Sequence, residues 1–270
     1  MLYVVSTPIG NLEDITQRAL RVLREVDLVL AEDTRRARVL LGHYGVRKAL
    51  WSVREHNEAR TMPRVLAELA AGRNLAFVTD AGTPLVSDPG SRLVASVREA
   101  GFRVVPVPGP SALTAALAGA GMDASRFLFF GFLPRRGRER RLAITRLSEA
   151  DCTSVVYEAA NRLAATLAEL AEAGAAGRRA VVAREMTKRF EEFRAGTVGE
   201  LAAYYAASPP RGEIVIVLEG KPAQREGQVD LGAEVQRLRG TGLSAREIAS
   251  VLVRDYGVAR NEAYRLAHGK

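Results

Sequence analysis

An α/β fold in two domains with a small helical tail is predicted by three features of the sequence. Short β-branched runs alternate with helical periods, Gly/Pro-rich loops recur just after those runs, and the texture changes near residue 121. Alternation of this kind implies a largely parallel sheet covered by helices on both faces, because a parallel pair needs a long crossover that a helix supplies. A chain of 270 residues also exceeds one typical domain of roughly 100–200 residues.

The run 2–5 reads as a strand and 27–31 as the next. Between them 15–26 reads as a helix with Ile15, Ala19, Val22, Leu23 and Val26 on one stripe. Helices are expected near 35–43, 62–72 and 91–100, the last closed by Gly101, with strands over 75–79 and 103–107 and a helix over 111–120. An aromatic strand with Phe127, Phe129, Phe130 and Phe132 then opens a second block. It continues as strand 154–157, helix 163–173, strand 180–184, a hairpin near 190–194, helix 198–206 and strand 213–219, a domain of mixed strand direction. The predicted organisation is therefore 1–120 and 121–220 as two α/β domains, the polar stretch 221–240 as a linker, and 241–270 as a basic helical tail. In the tail Ser244 and Glu247 fit a capping box, and two helical patterns flank Gly257 in the manner of a helix-turn-helix.

Hydrophobic residues make up 47% and charged residues 26%, ordinary usage for a chain with a sizeable core. The single cysteine, Cys152, excludes an intrachain disulfide framework and a Cys-rich zinc site, and fits a reducing cytoplasm. No basic leader and no membrane-length apolar span is visible, so a cytoplasmic protein without a membrane partner is expected. The net charge of +8 points to a polyanionic partner.

Three loops follow predicted parallel strands: Ser6-Thr7-Pro8-Ile9-Gly10-Asn11, the stretch from Asp80 to Gly90, and Pro106 to Ala112. In open α/β sheets ligands bind outside the carboxyl ends of the strands, so these loops should line one cleft. Glycine lets backbone approach a ligand, and proline keeps an irregular path rigid. Competing motifs fail. Gly119-Ala120-Gly121-Met122-Asp123-Ala124 follows a helix instead of a strand, so it reads as a helix end and not as a dinucleotide fingerprint. There is no phosphate-binding P-loop, and Gly109-Pro110-Ser111 lacks the second glycine of a nucleophile elbow. His43, His56 and His268 are too scattered for a metal site, so no metal is expected.

Taken together, the loops resemble the tetrapyrrole-methylase superfamily, and most closely its RNA branch, the 16S ribosomal RNA (cytidine-2′-O)-methyltransferases. The resemblance rests on Thr7-Pro8-Ile9-Gly10-Asn11-Leu12, Glu32-Asp33-Thr34-Arg35, Asp80-Ala81-Gly82-Thr83-Pro84, Ser87-Asp88-Pro89-Gly90 and Pro108-Gly109-Pro110-Ser111-Ala112. Ala183-Arg184-Glu185-Met186-Thr187-Lys188 and Arg211-Gly212-Glu213-Ile214-Val215-Ile216 extend it over nearly the whole chain. One departure is Ala159-Ala160-Asn161-Arg162, where the family carries a Ser-Pro-His-Arg-like run. The resemblance implies two tetrapyrrole-methylase-type domains, S-adenosyl-L-methionine as methyl donor, and a homodimer acting on 16S ribosomal RNA or the assembled 30S subunit. It also implies a donor site drawn from Pro8, Gly10, Asp80, Ala81, Gly82, Thr83, Pro84, Ser111, Ala112, Tyr157 and Met186.

A ribose hydroxyl is a poor nucleophile that benefits from a base or from a cation beside the developing alkoxide, which makes Asp33, Asp80, Glu185 and Lys188 the catalytic candidates. Asp80 also reads as a loop carboxylate that caps backbone amides, and Lys188 as a solvated charge beside Arg189. Arg35 and the run Arg135, Arg136, Arg138, Arg140 and Arg141 are candidates for RNA phosphate contact; a solvated helix face is the alternative for the run. Two rival functions remain at this stage: a small-molecule tetrapyrrole or corrinoid methylase of the same fold, and a ligand-sensing helix-turn-helix nucleic-acid binder.

Overall fold

The computed structural model describes residues 1–222 and 230–269, in two compact units, Met1–Lys221 and Pro222–Lys270. The larger unit holds two five-stranded sheets. The first is built from β1 (Leu2–Val5), α1 (Gln17–Glu25), β2 (Leu28–Ala31), α2 (Thr34–His43), β3 (Ala49–Ser52), α3 (Glu58–Ala70), β4 (Leu75–Val78), α4 (Ser91–Glu99) and β5 (Val104–Val107). Its strands lie in the order β3-β2-β4-β1-β5 and all pair in parallel. Alternate residues serve opposite faces: Val29, Ala31, Ala76 and Val78 meet Val22, Leu23 and Leu41 of α1 and α2, while Leu28, Leu30, Leu75 and Phe77 meet Val65, Leu69, Leu93 and Val97 of α3 and α4. Burial on both faces is why these strands read as continuous apolar runs.

β3 is absent from the sequence reading. Its four residues are exposed or half-buried and carry no alternation; pairing with β2 from Leu28↔Ala49 to Ala31↔Ser52 makes it a strand.

The second sheet comprises β6 (Phe127–Phe132), β7 (Thr153–Ala159), β8 (Arg179–Arg184), β9 (Glu192–Thr197) and β10 (Glu213–Leu218) in the order β6-β7-β10-β8-β9. β6 runs parallel to β7, and the other neighbours are antiparallel, the mixed direction that the sequence predicts. One face is covered by α6 (Gly137–Glu149), α7 (Leu163–Leu170) and α8 (Val198–Ala207) through Leu147, Leu163, Leu167, Leu170 and Leu201. The other is covered by α5 (Ala112–Ala120), whose Ala116, Leu117 and Ala120 pack on Val155, Val181, Ala183, Val215 and Val217. The sequence reading placed α5 with the first block. Its small residues decide otherwise: a Cβ at Gly119 would overlap the Phe193 ring of β9, so only glycine allows this close approach. Gly121, at φ +62°, ends the helix.

The smaller unit contains α9 (Leu231–Gly240), α10 (Ala245–Tyr256) and α11 (Arg260–His268) around Val235, Leu238, Ile248, Leu252, Ala263 and Ala267. The capping box of Ser244 and Glu247 forms at the start of α10. The linker expected over 221–240 is corrected in its second half, while 223–229 lie outside the described residues. Leu231–Gly240 is helical because Asp230 accepts hydrogen bonds from the amides of Gly232 (2.9 Å) and Ala233 (3.2 Å), and because Val235 and Leu238 are buried.

Candidate active site

The loops that follow β1, β4 and β5 are joined at one point. Thr7 and Gly82 exchange backbone hydrogen bonds of 2.9 and 3.0 Å. The Thr83 hydroxyl lies 2.9 Å from Ser6 Oγ and donates to the Pro110 carbonyl at 3.1 Å, so one side chain bridges all three loops. Gly82 (φ +75°) supplies the left-handed residue this path needs. A fourth segment, the turn between β8 and β9, docks on the first loop: Asn11 N–H donates to Thr187 Oγ1 at 3.0 Å. A Cβ on Gly10 would stand 2.6 Å from Lys188 Cγ, so glycine is what lets the two segments meet. Non-glycine residues with left-handed backbone occur, among the described residues, only in these loops: Leu85, Ser87, Glu185 and Thr187. Strain of about 1 kcal/mol or more at each is held by the surrounding contacts.

Two clefts open on these loops and share a wall of Ile9, Arg36, Asp80, Ala81 and Glu213. The first, about 510 Å³, is lined by Asp80, Ala81, Gly82, Thr83, Ser111, Ala112, Tyr157 and Met186 among others. Thus most of the donor-site residues named from the sequence come together. Pro8 and Gly10 line the neighbouring cleft, and Pro84 lines neither. The departing Ala159-Ala160 segment lines the first cleft, where small side chains leave it open. Tyr157 stands edge-on to Phe129 (4.9 Å between centroids), and burial pushes its hydroxyl up to about 12. The second cleft, about 560 Å³, is lined by Leu12, Val39 and Leu40 together with Asp33, Arg35, Arg36, Thr79 and Lys188.

The four catalytic candidates differ in what holds them. Asp33 caps α2 through the Arg35 amide (2.8 Å) and is gripped by the Arg35 guanidinium at 2.6–3.2 Å. These hydrogen bonds hold its carboxyl far below the usual range. Glu185 accepts from Lys188 Nζ at 2.9 Å and from the Glu213 amide at 2.9 Å, which lowers it as well. Gly212 (φ +96°) allows this arrangement, since any Cβ there would overlap the Glu185 carboxylate. Burial works against the charge of Lys188, but the hydrogen bonds to Glu213 (2.8 Å) and Glu185 prevail and raise it. Asp80 stands on the shared wall, with Oδ1 accepting from the Asp33 amide (3.1 Å) and Oδ2 lying 3.3 Å from Arg36 Nη1.

Three residues that sequence reasoning did not single out join them. Glu32 and Asp88 line the first cleft with Asp80, and Arg36 lines both. Burial raises Glu32 and pushes Asp88 up to about 6, and the neighbouring carboxylates act in the same direction. Glu32 and Asp88 lie inside two of the motifs that carry the family resemblance, just past β2 and in the loop after β4, while Arg36 lies in the first turn of α2.

Arg140 is corrected. It is 6% exposed, with Nε on the Glu169 carboxylate (2.8 and 3.1 Å), Nη2 on Thr166 Oγ1 (2.9 Å) and Nη1 on the Pro134 carbonyl (3.1 Å), so every nitrogen has an internal partner and burial withholds the group from a phosphate. Thr166 passes the contact on to the buried Glu158 at 2.6 Å, and Arg162 Nη2 reaches the same oxygen at 3.1 Å. Arg135, Arg136, Arg138 and Arg141 are exposed at the start of α6 and line neither cleft. No cluster of His, Cys, Asp or Glu among the described residues could hold a metal ion. No described helix is long and apolar enough to cross a membrane.

Two α/β layers, one with an all-parallel sheet and one with a mixed sheet, and the glycine loops that line the clefts define a methylase-type fold. Residues 1–202 match the family of tetrapyrrole (corrin/porphyrin) methylases, and the chain belongs to that family. It is 43% identical to the ribosomal RNA small subunit methyltransferase I of Escherichia coli O157:H7, over 98% of this chain and 94% of that one. The protein of the same name from Haemophilus influenzae is 40% identical over 99% of this chain and 97% of its own length. Among solved structures, the cobalamin biosynthetic enzyme cobalt precorrin-4 methyltransferase superposes with a TM-score of 0.62 at 19% identity, over 81% of this chain and 94% of that one. A uroporphyrin-III C-methyltransferase from Thermus thermophilus, solved with S-adenosyl homocysteine, gives 0.59 at 20% identity, over 81% and 96%. At these identities the two structures speak for the fold alone.

Proposed function

We propose that this protein transfers the methyl group of S-adenosyl-L-methionine to the 2′-hydroxyl of a cytidine in 16S ribosomal RNA, free or within the 30S subunit, in the cytoplasm. The observation that carries the reading is the pair of adjoining clefts with Asp80 on their common wall. A donor in one and a nucleotide in the other would meet at that wall, and such positioning supplies much of a displacement's acceleration.

The first cleft fits the donor. Ala112, Tyr157, Met186 and Val215 offer apolar surface to a purine, the backbone of 80–83 is open to close approach, and Glu32, Asp80 and Asp88 give a negative rim suited to cationic groups. When bound, S-adenosylmethionine supplies an electrophilic methyl group on a sulfonium. Asp80 is assigned as the acceptor of the hydroxyl proton, because it alone of the four candidates lines both clefts; its carboxylate has a single 3.3 Å approach to Arg36, whereas Asp33 is gripped along the Arg35 guanidinium and Glu185 is tied to Lys188. Lys188, kept protonated by its two glutamates, stabilises the developing alkoxide from the second cleft. Leu12, Val39 and Leu40 offer the base an apolar shelf there, and Arg35 and Arg36 face its phosphates. The working form is read as a homodimer. Support comes from the edge strand β6, whose Phe127, Leu128 and Phe132 are exposed and would be covered by a second copy.

The test is transfer of labelled methyl to 30S subunits, to 16S RNA and to a corrinoid precursor pool, with alkaline mapping of any labelled RNA. Label at an alkali-resistant ribose linkage is the expected result. Label in the tetrapyrrole pool alone overturns the proposal.

A further inference from the structure

The smaller unit has its own core and carries no part of either cleft. Its second and third helices, α10 and α11, are joined through Gly257, whose left-handed φ of +64° caps α10. α11 buries Ala263 and Ala267, small residues that let it lie close to its neighbours. Asn261, Tyr264, Arg265 and His268 follow at spacings of three and four, so they form one outward stripe, and all four are exposed. Tyr264 and His268 are stacked, with centroids 5.7 Å apart and planes 20° from parallel. Glu262, three residues before Arg265, borders the stripe on one side.

The charges of the unit are sorted by fold. Asp230 caps α9, Glu247 closes the capping box of α10, Glu234 holds Arg237 and Tyr256, and Asp255 holds Arg254. Among the described residues Arg246, Arg260 and Arg265 are in no ion pair. Asp230, Glu234, Glu247 and Asp255 are thus consumed as caps and partners, and of the described carboxylates of the unit only Glu262 is in no such contact, so outward cations exceed outward carboxylates, which is complementary to a polyanion. A stripe with no aliphatic anchor is a poor centre for a protein interface, whereas flat rings beside a guanidinium suit unstacked bases and phosphates.

We infer that this unit is an RNA-docking module. Its contact surface is the Asn261, Tyr264, Arg265 and His268 stripe, and it holds a segment of the substrate RNA other than the nucleotide that receives the methyl group. The inference rests on the RNA reading above.

The experiment uses the full chain. Tyr264→Ala combined with Arg265→Glu is compared with wild type and with Tyr264→Phe for binding to a 16S RNA fragment over a salt series, for donor affinity, for kcat at saturating RNA, and for molecular mass. Loss of one stacking platform and one phosphate contact should weaken RNA binding about 10- to 100-fold and make the salt slope shallower by about 1. Donor affinity, kcat at saturating RNA and melting temperature should not move, and Tyr264→Phe should bind as wild type does. Unchanged RNA affinity overturns the inference, as does a change of mass with RNA affinity intact, which would make the stripe a protein contact. If wild type binds RNA and loses it in the double variant but methylates no RNA, docking stands and the proposed activity falls. If wild type methylates RNA and the double variant binds equally well, the reverse holds.

Discussion

Replacing Arg140 by alanine separates two roles that a run of arginines conceals. The side chain is 6% exposed and its guanidinium holds Glu169, Thr166 and the Pro134 carbonyl, and it lies 3.9 Å from the fully buried carboxylate of Glu158. Removing one partner from a buried charged network leaves the others without compensation and costs about 3–5 kcal/mol. Glu169 is partly open to solvent, with 40% of its side chain exposed, so water can replace some of what is lost and the lower end, about 3 kcal/mol, is expected. In a unit of this size each kcal/mol moves the midpoint by roughly 2–4 °C, so melting of the larger unit should fall by about 6–12 °C. Arg140→Lys should recover little, because an ammonium cannot reproduce the planar fork. Arg138→Ala and Arg141→Ala, both exposed, should change stability by no more than about 0.5 kcal/mol, yet weaken RNA binding and flatten its salt dependence. Scanning calorimetry and RNA binding on the same samples decide the matter. If Arg140→Ala melts as wild type does and loses RNA affinity like Arg138→Ala, the buried-network reasoning is refuted.

Two further predictions concern the clefts. Asp80→Asn should slow methyl transfer about 10²- to 10⁴-fold with donor affinity kept within a few-fold, measured by single-turnover kinetics and calorimetric titration; an undiminished rate would remove Asp80 from the chemistry. Asp88 has its folded value raised from 3.8 to about 6, so the folded state binds the proton more tightly and stability declines as pH rises from about 4 through 6. The full shift would amount to about 3 kcal/mol, and partial exposure reduces this to about 1–2 kcal/mol. Asp88→Asn should therefore match wild type near pH 4 and exceed it by about 1 kcal/mol at pH 8, as read from denaturant midpoints, whereas a pH-independent difference would contradict the assignment.

Much of this protein is determined by its sequence alone. Strands buried on both faces must be continuous apolar runs, as in β2 and β4, and loops that need left-handed or rigid backbone must carry glycine and proline, as after β1 and β4. Those constraints are local, so the element order, the cleft-lining loops and the family are legible without coordinates. Tertiary structure decided what depends on neighbours distant in the chain. Four residues with no pattern of their own become β3 by pairing with β2, and α5 goes to the second sheet because Gly119 fits under Phe193. Of the arginines in one run, the one whose helix position faces Glu169 and Thr166 is buried and its neighbours are not. The carboxylates divide in the same way: Asp33 and Glu185 are held by Arg35 and Lys188 and do not line the first cleft, while Asp80, with Arg36 3.3 Å away, is gathered there with Glu32 and Asp88. The reason is that a charged group's role is set by its partners and its burial, and both are brought together only by packing between segments far apart in sequence.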